Sequence, residues 1–347
     1  MSWKRTIRPA MDRLGRFSGL LRVSERAMRS RLTILMYHRV LEDADCAGYP
    51  FSSLAMPRSL FEAQVDWLAQ NARVLPVSEA LSRLEDASAG SKPLVSLTFD
   101  DGYQDNFDIA APLLEAAGLR GTFFITAGIV DARKPLWYDR AAHIWDALGH
   151  ETISQRVSES GAFGAHDFPA RAVWVEWLKD VSTAQRESLI EQLGAEASAG
   201  GSPCVLMTAA QVRELAERGH EIGSHTLWHP ILTTMNEGER RPEIEGAKNL
   251  LERWTGRDVP GFCYPNGDFD QSVIRQLREA GHTYACTTRP GLNEQRTNPF
   301  ELRRIDMTAD RLRSSDGRFD VLGFRAEISL FRHRLRGALK PSGWRGE

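Results

Sequence analysis

The chain has 347 residues, with 44 Lys and Arg against 46 Asp and Glu, a net charge of −2. A near-neutral sum excludes a dedicated nucleic-acid binder, which needs a basic excess to neutralise phosphates, and 42% hydrophobic content excludes global disorder. The four cysteines (Cys46, Cys204, Cys263, Cys286) form no C-x-x-C pair, so no zinc knuckle or disulfide framework is expected. No apolar run reaches the roughly 18 residues that span a bilayer.

The charge is spread unevenly. Residues 1–31 carry nine Lys and Arg against two acidic residues, a net +7. Residues 323–347 carry six against two, a net +4, which leaves −13 for the body, 32–322. In the leading segment Trp3, Ile7, Met11, Leu14, Phe17 and Leu21 recur at spacings of three and four. That pattern predicts a basic amphipathic helix, which either lies on an anionic membrane surface or packs on the body. The tail repeats it with Leu330, Phe331, Leu335 and Leu339 before Pro341. The basic N-terminus lacks an apolar h-region and cleavage site, so the expected address is cytoplasmic, peripheral at the inner face of the cell membrane.

Leu32–Tyr37 is a short apolar run compatible with a buried parallel strand. Helical periodicity follows over 58–70 and 77–85, then a loop at 87–92. Leu94–Phe99 reads as a second buried strand that runs straight into Asp100-Asp101-Gly102. A helix over 106–117 ends at Gly118, and 121–126 is a third strand. Residues 131–203 interrupt this rhythm with an aromatic-rich insertion, helical near 139–148 and 184–196. Its rings either form a sugar-stacking wall or pack the insertion on itself. Helices over 208–218, 239–254 and 271–280 then alternate with strands Glu221–Ser224, 261–264 and 284–287. Such alternation predicts an α/β fold with a parallel sheet, open or closed into a barrel.

Three polar clusters sit at the C-terminal ends of predicted strands, where sites assemble in parallel α/β folds. They are Asp100-Asp101-Gly102, His225-Thr226-Leu227-Trp228-His229 and Tyr264-Pro265-Asn266-Gly267. Two His and one Asp suit a divalent transition metal with open positions for water and substrate. His225 and His229 are four apart, so a helical turn would put both on one face. One aspartate then completes the triad while its neighbour stays free as a base. For both carboxylates to serve one site the strand must break there, which Gly102 permits.

LTFDDGYQDN (97–106), HEIGSHTLWH (220–229) and FCYPNG (262–267) resemble the first three motifs of the polysaccharide deacetylases, the NodB-homology or family-4 carbohydrate esterases. The resemblance covers roughly 32–306 outside the insertion, and implies a distorted (β/α)7 barrel that removes acetyl groups from N-acetylated sugars. It implies that Asp101, His225 and His229 bind the metal, usually zinc, that Asp100 is the general base, and that the Asn266 main-chain N–H helps hold the oxyanion. Tyr264 belongs to that third motif. Tyr103 and Trp228 neighbour the motifs and either contact substrate or support the site by packing.

The sequence departs from the family at two places. The third motif usually begins with Arg, which orients the base; here Cys263 stands there, and Arg303 or Arg304 in ELRRID (301–306) is the candidate substitute. The family's general-acid His on a late apolar strand is also missing, but Ile34-Leu35-Met36-Tyr37-His38 carries that pattern early. This resembles the circularly permuted branch with the poly-N-acetylglucosamine deacetylases, and implies His38 as the acid that protonates the leaving amine. A closed barrel permits the permutation, because its first and last strands are neighbours.

The expected partner is thus an N-acetylated glycan of a surface polysaccharide or its lipid-linked precursor, with a membrane surface as a second. The competing expectations are a nearly inactive, membrane-docked glycan-binding or assembly factor, and a hydrolase of a non-sugar amide.

Overall fold

A computed structural model of the protein describes residues 19–85, 92–197, 205–314 and 316–333. Seven parallel strands form its centre: β1 (Leu32–Tyr37), β2 (Leu94–Phe99), β3 (Thr122–Ile125), β4 (Glu221–Ser224), β5 (Gly261–Cys263), β6 (Tyr284–Cys286) and β7 (Ile305–Asp306). They lie side by side in the order β7-β1-β2-β3-β4-β5-β6, with Arg73–Val74 paired to the start of β2. The ends of this sheet meet. Leu302 bridges Cys286, with its N–H on the Ala285 carbonyl, while Ile305 pairs with Leu35 and the Met307 N–H reaches Met36. The expected distorted (β/α)7 barrel is therefore present. Only β7 escaped the sequence reading, since two residues followed by no apolar run leave no periodic signal.

Side chains alternate across each strand, and this alternation builds the site. Leu35, Tyr37, Val95, Leu97, Phe99, Phe123 and Ile125 belong to the layer beneath the outer helices. There Tyr37 stacks on Phe99 and Phe99 on Phe123. The opposite parity points into the barrel, where Ile34, Phe124, Cys263, Tyr284 and Cys286 form a second cluster. At the floor, Glu221 accepts hydrogen bonds from Thr122 and Tyr284 hydroxyls. Above it, Phe124 fills the space left by Gly223, where a Cβ would stand 2.4 Å from the ring. The next positions of the same parity, His38, Asp100 and His225, end their strands at one mouth.

The insertion is helical, as expected, and comprises Trp137–Glu159, Arg171–Asp180 and Thr183–Glu196. The middle helix was not anticipated. Most of the aromatics pack the insertion on itself: Trp174 stacks on Trp177, and Phe163, His166 and Phe168 close around them. Trp137 and Tyr138 instead turn towards the barrel mouth.

The leading helix predicted from Trp3 onward falls mostly outside the described residues, as does the tail beyond 333. A helix is described at Leu20–Met28, and another at Val321–Ile328 crosses the boundary expected at 322/323. No helix among the described residues is long and apolar enough to cross a membrane.

Candidate metal centre and active site

The β2 strand breaks where two carboxylates must diverge. Asp101 adopts φ 78° and Gly102 φ 86°, so consecutive aspartates reach one cleft instead of opposite faces of the sheet. A left-handed aspartate is an uncommon conformation that fixed surroundings must maintain. The cleft at this mouth is lined by His38, Asp100, Asp101, His225, His229, Tyr264, Asn266 and Asp306, with Phe51, Trp137, Tyr138 and Val175 as an apolar wall.

Asp101, His225 and His229 converge. Asp101 Oδ1 lies 3.4 Å from Nε2 of each histidine, and it is buried without a hydrogen-bond partner. A tetrahedral ion held at about 2.1 Å from each ligand has ligand–ligand edges of about 3.4 Å, so the trio fits a divalent metal. The tautomer agrees. His225 Nδ1 stands 2.7 Å from the Cys263 carbonyl, which can only accept, so Nδ1 carries the proton and the Nε2 lone pair faces Asp101.

The two histidines do not share a helical turn, as the four-residue spacing suggested. Thr226 (φ 67°) and His229 (φ 55°) are both left-handed, which makes 225–229 a tight loop. Its shape is held by the Thr226 hydroxyl on the His229 N–H and by Glu243, which accepts from the N–H groups of Leu227 and Trp228. Burial raises the Glu243 carboxyl to about 6 against the pull of those two donors.

Asp100 is buried beside the trio. Arg304 grips it bidentately, at 2.7 Å to Oδ1 and 2.8 Å to Oδ2. Burial works to raise the Asp100 carboxyl, and the guanidinium outweighs it, holding the group below the ordinary carboxylate range. Arg304 is thus the residue that stands in for the missing motif arginine. Arg303 points the other way and packs over Gly291. Cys263 completes the arrangement: Arg304 Nη2 donates to its Sγ at 3.0 Å, and burial pushes its thiol up to about 11. Asp100, His225 and Cys263 also offer close ligand atoms, but the cationic place between Asp100 and Cys263 is already taken by Arg304.

His38 Nε2 lies 4.0 Å from Asp100 Oδ2. The β1–β2 register pairs Tyr37 with Phe99, which sets the next two residues side by side. Asn266 adopts φ 60° at the turn after β5, its side chain committed to Asp268. Asp306 reaches the same cleft from β7.

The two tyrosines expected near substrate behave differently. Tyr103 is fully buried, and its hydroxyl serves Tyr138 and Asp139, so it cannot touch a substrate. The hydroxyl of Tyr264 donates to the Phe300 carbonyl, leaving only its ring at the cleft. Trp228 is exposed on the 225–229 loop, its ring beside Gly128.

The sequence reading missed Tyr138. Its hydroxyl donates to Asp101 Oδ2 at 2.7 Å and receives the Tyr103 hydroxyl at 2.8 Å. This occupies one carboxylate oxygen and leaves Oδ1 turned to the histidines. Tyr138→Phe is expected to weaken metal affinity by about 10–100-fold, the usual effect of deleting a partner that orients a ligand, and to cost about 1–3 kcal/mol of stability, because the buried Asp101 Oδ2 loses its donor. Competition against a chelating dye reads the affinity; an unchanged value would show that Oδ2 needs no such partner.

The polysaccharide deacetylase family profile matches residues 87–285, more than half of the chain and all three polar clusters; His38 and Arg304 lie outside the matched range. YxkH of Bacillus subtilis, assigned by name to the same family, is 22% identical over 291 residues, spanning 84% of this chain and 76% of that protein. Among solved structures, the Streptococcus pyogenes deacetylase PplD, in complex with acetate, superposes with a TM-score of 0.55 at 17% identity, covering 83% of this chain and 96% of that one. IcaB from Ammonifex degensii gives 0.54 at 20% identity, covering 81% and 93%. These likenesses place the barrel among deacetylase folds, and the profile, matching more than half of the chain, establishes that the chain belongs to the polysaccharide deacetylase family.

Proposed function

We propose that the protein removes acetyl groups from N-acetylated sugars of a surface polysaccharide or its lipid-linked precursor, with a divalent metal, zinc by the character of the ligands, as its cofactor. The observation that carries this reading is the orphaned Asp101 Oδ1 facing two imidazole nitrogens beside an arginine-clamped Asp100. An ion held by Asp101, His225 and His229 would polarise the acetamide carbonyl and lower the pKa of water at that place. Asp100, kept ionised by Arg304, takes the proton of the attacking water. The Asn266 main-chain N–H faces the developing oxyanion. His38, 4.0 Å from Asp100, delivers a proton to the departing amine, and the sugar leaves with a free amino group.

Arg304 also weighs against the nearly inactive assembly factor. The motif position holds Cys263, yet a guanidinium still reaches Asp100, from the residue that precedes β7.

The test is acetate release by the purified full chain on a panel of N-acetylglucosamine oligomers, poly-N-acetylglucosamine and a lipid-linked N-acetylhexosamine. Activity is expected on at least one, to vanish on chelation and to return with zinc, cobalt or nickel. No release by metal-loaded protein from any of them, or undiminished release after stripping, refutes the proposal.

A further inference from the structure

The first and last described helices meet. Leu20–Met28 packs along Val321–Ile328 through Leu21, Ala326 and Phe331, and Arg325 clasps Glu25 with Nε at 2.6 Å and Nη2 at 3.0 Å. Leu21, Ser24 and Met28 form the buried stripe of the first helix. That helix has a second apolar stripe, and it is unburied. Leu20 is 51% exposed and Val23 59%, and with Ala27 they stand at i, i+3 and i+7. Val321 on the adjoining helix is 43% exposed. These three are half of the large hydrophobic side chains exposed among the described residues.

Beside this stripe runs a row of arginines. Arg22, Arg26 and Arg29 are all exposed and stand at i, i+4 and i+7. The helix has one acidic residue, Glu25, and Arg325 already neutralises it. Its outer face therefore presents apolar side chains flanked by uncompensated cations. The remaining basic charge enters at the same place. Residues 1–18 carry Lys4, Arg5, Arg8, Arg13 and Arg16 against Asp12, and they join the fold at Gly19. Residues 334–347 carry Arg334, Arg336, Lys340 and Arg345 against Glu347, and they leave just after the helix packed alongside. Both segments flank the described helix pair in sequence and are basic, whereas the stretch 32–322 carries a net −13.

We propose that this terminal helix pair is a docking surface for an anionic lipid bilayer. Leu20 and Val23 enter the headgroup–acyl boundary, and the arginine row bridges lipid phosphates. An apolar stripe bordered by long cationic side chains suits that interface, because guanidinium groups stay with the phosphates while their stems cover apolar surface. A soluble polyanion would use the arginines and leave the apolar stripe in water. A second copy of the chain would bring a second arginine row against the first. The lipid surface is the one occupant that uses both stripes at once. The inference is independent of the catalytic reading, since no residue of the patch lines the cleft.

Flotation of the full chain tests it, with vesicles of phosphatidylcholine alone or mixed with phosphatidylglycerol, at low and high salt. Binding is expected on the mixed vesicles only, and is expected to fall as salt rises. The Leu20→Glu/Val23→Glu pair should weaken it by roughly tenfold or more, and Arg22→Glu/Arg26→Glu by a similar factor. Both pairs lie on the surface, so thermal midpoints and acetate release from a soluble glycan should match the parent. Four outcomes overturn the proposal: no flotation with any vesicle; equal flotation with both vesicle types; heparin binding that outcompetes vesicles and ignores Leu20→Glu/Val23→Glu; or a dimer in sedimentation velocity that this pair dissociates.

Discussion

Asp100→Asn is expected to lower kcat for acetate release by about 10²–10⁴-fold, the range usual for a lost general base, while the protein still binds its full complement of metal. The two carboxylates of the Asp-Asp-Gly turn make the variant informative. Asp101 faces the histidine nitrogens with Oδ1 and is held by Tyr138 at Oδ2, whereas both oxygens of Asp100 are engaged by Arg304. An amide at 100 keeps the shape but cannot accept a proton from water. It also leaves a buried guanidinium without its counter-ion, and breaking such a pair from one side costs about 3–5 kcal/mol. Urea titration of both proteins measures that loss. The parent's pair has a defined pH window. Its carboxyl is depressed in the folded state, so its contribution is present above the ordinary carboxylate range and fades as pH falls towards the depressed value. If the variant keeps its activity within tenfold, Asp100 is not the base; if it loses its metal, Asp100 is a ligand.

Much of this arrangement was readable from residue order, and the reason is parity. Leu32–Tyr37 and Leu94–Phe99 are mostly apolar and run directly into His38 and Asp100, so a parallel pairing in register must bring those two together. The same logic marks Arg304 over Arg303 once β7 is known to be a strand. Residues 304 and 306 then share one side, towards Asp100 and His38, and 303 faces outward against Gly291. That strand is two residues long, too short for a period to show, so the sequence left both arginines open. Tyr138 was illegible for another reason. It sits in an insertion whose aromatic residues look alike in sequence, and only the packing of three helices decides that Trp174 and Trp177 bury each other while Tyr138 reaches Asp101. The loop at 225–229 was misread because i, i+4 spacing fits a helical turn equally well. Two left-handed residues and a distant carboxylate, Glu243, settle its shape, and none of these has a local sequence signal.

Around Asp100 a guanidinium is kept although the third motif has lost its arginine. The motif position at the end of β5 holds a small thiol, and the guanidinium arrives from the segment that closes the barrel. Cys263 does not compete for the charge, since burial keeps it protonated. Its sulfur accepts from Arg304 and its S–H is directed at Asp100, so it fills the corner that an arginine stem would otherwise cross. A ring of strands makes the exchange geometrically cheap, because every strand end borders the same mouth.

Arg304→Met therefore carries the second large effect. The side chain has no exposed surface and does not line the cleft, so it acts through its neighbours: Asp100 first, with Cys263, the Thr98 hydroxyl and the Thr287 carbonyl as its other partners. Its loss strands a buried carboxylate, at about 3–5 kcal/mol, and leaves burial opposed only by the weaker pull of His225 and His38. The Asp100 pKa must then rise. The expected result is a fall in kcat of about 10²-fold or more at neutral pH, with KM little changed, and an acid limb of the kcat profile displaced to higher pH than in the parent. That displacement separates a positioning residue from one that merely supports the fold, because general loosening lowers activity without moving a pKa. The exchange Cys263→Arg/Arg304→Cys returns a guanidinium to the motif position at the end of β5. It should recover part of the lost rate and bring the acid limb back down. An Arg304→Met protein with parental kcat and an unmoved pH profile would mean that Asp100 needs no cationic partner, and that the clamp seen at this barrel mouth has no part in the reaction.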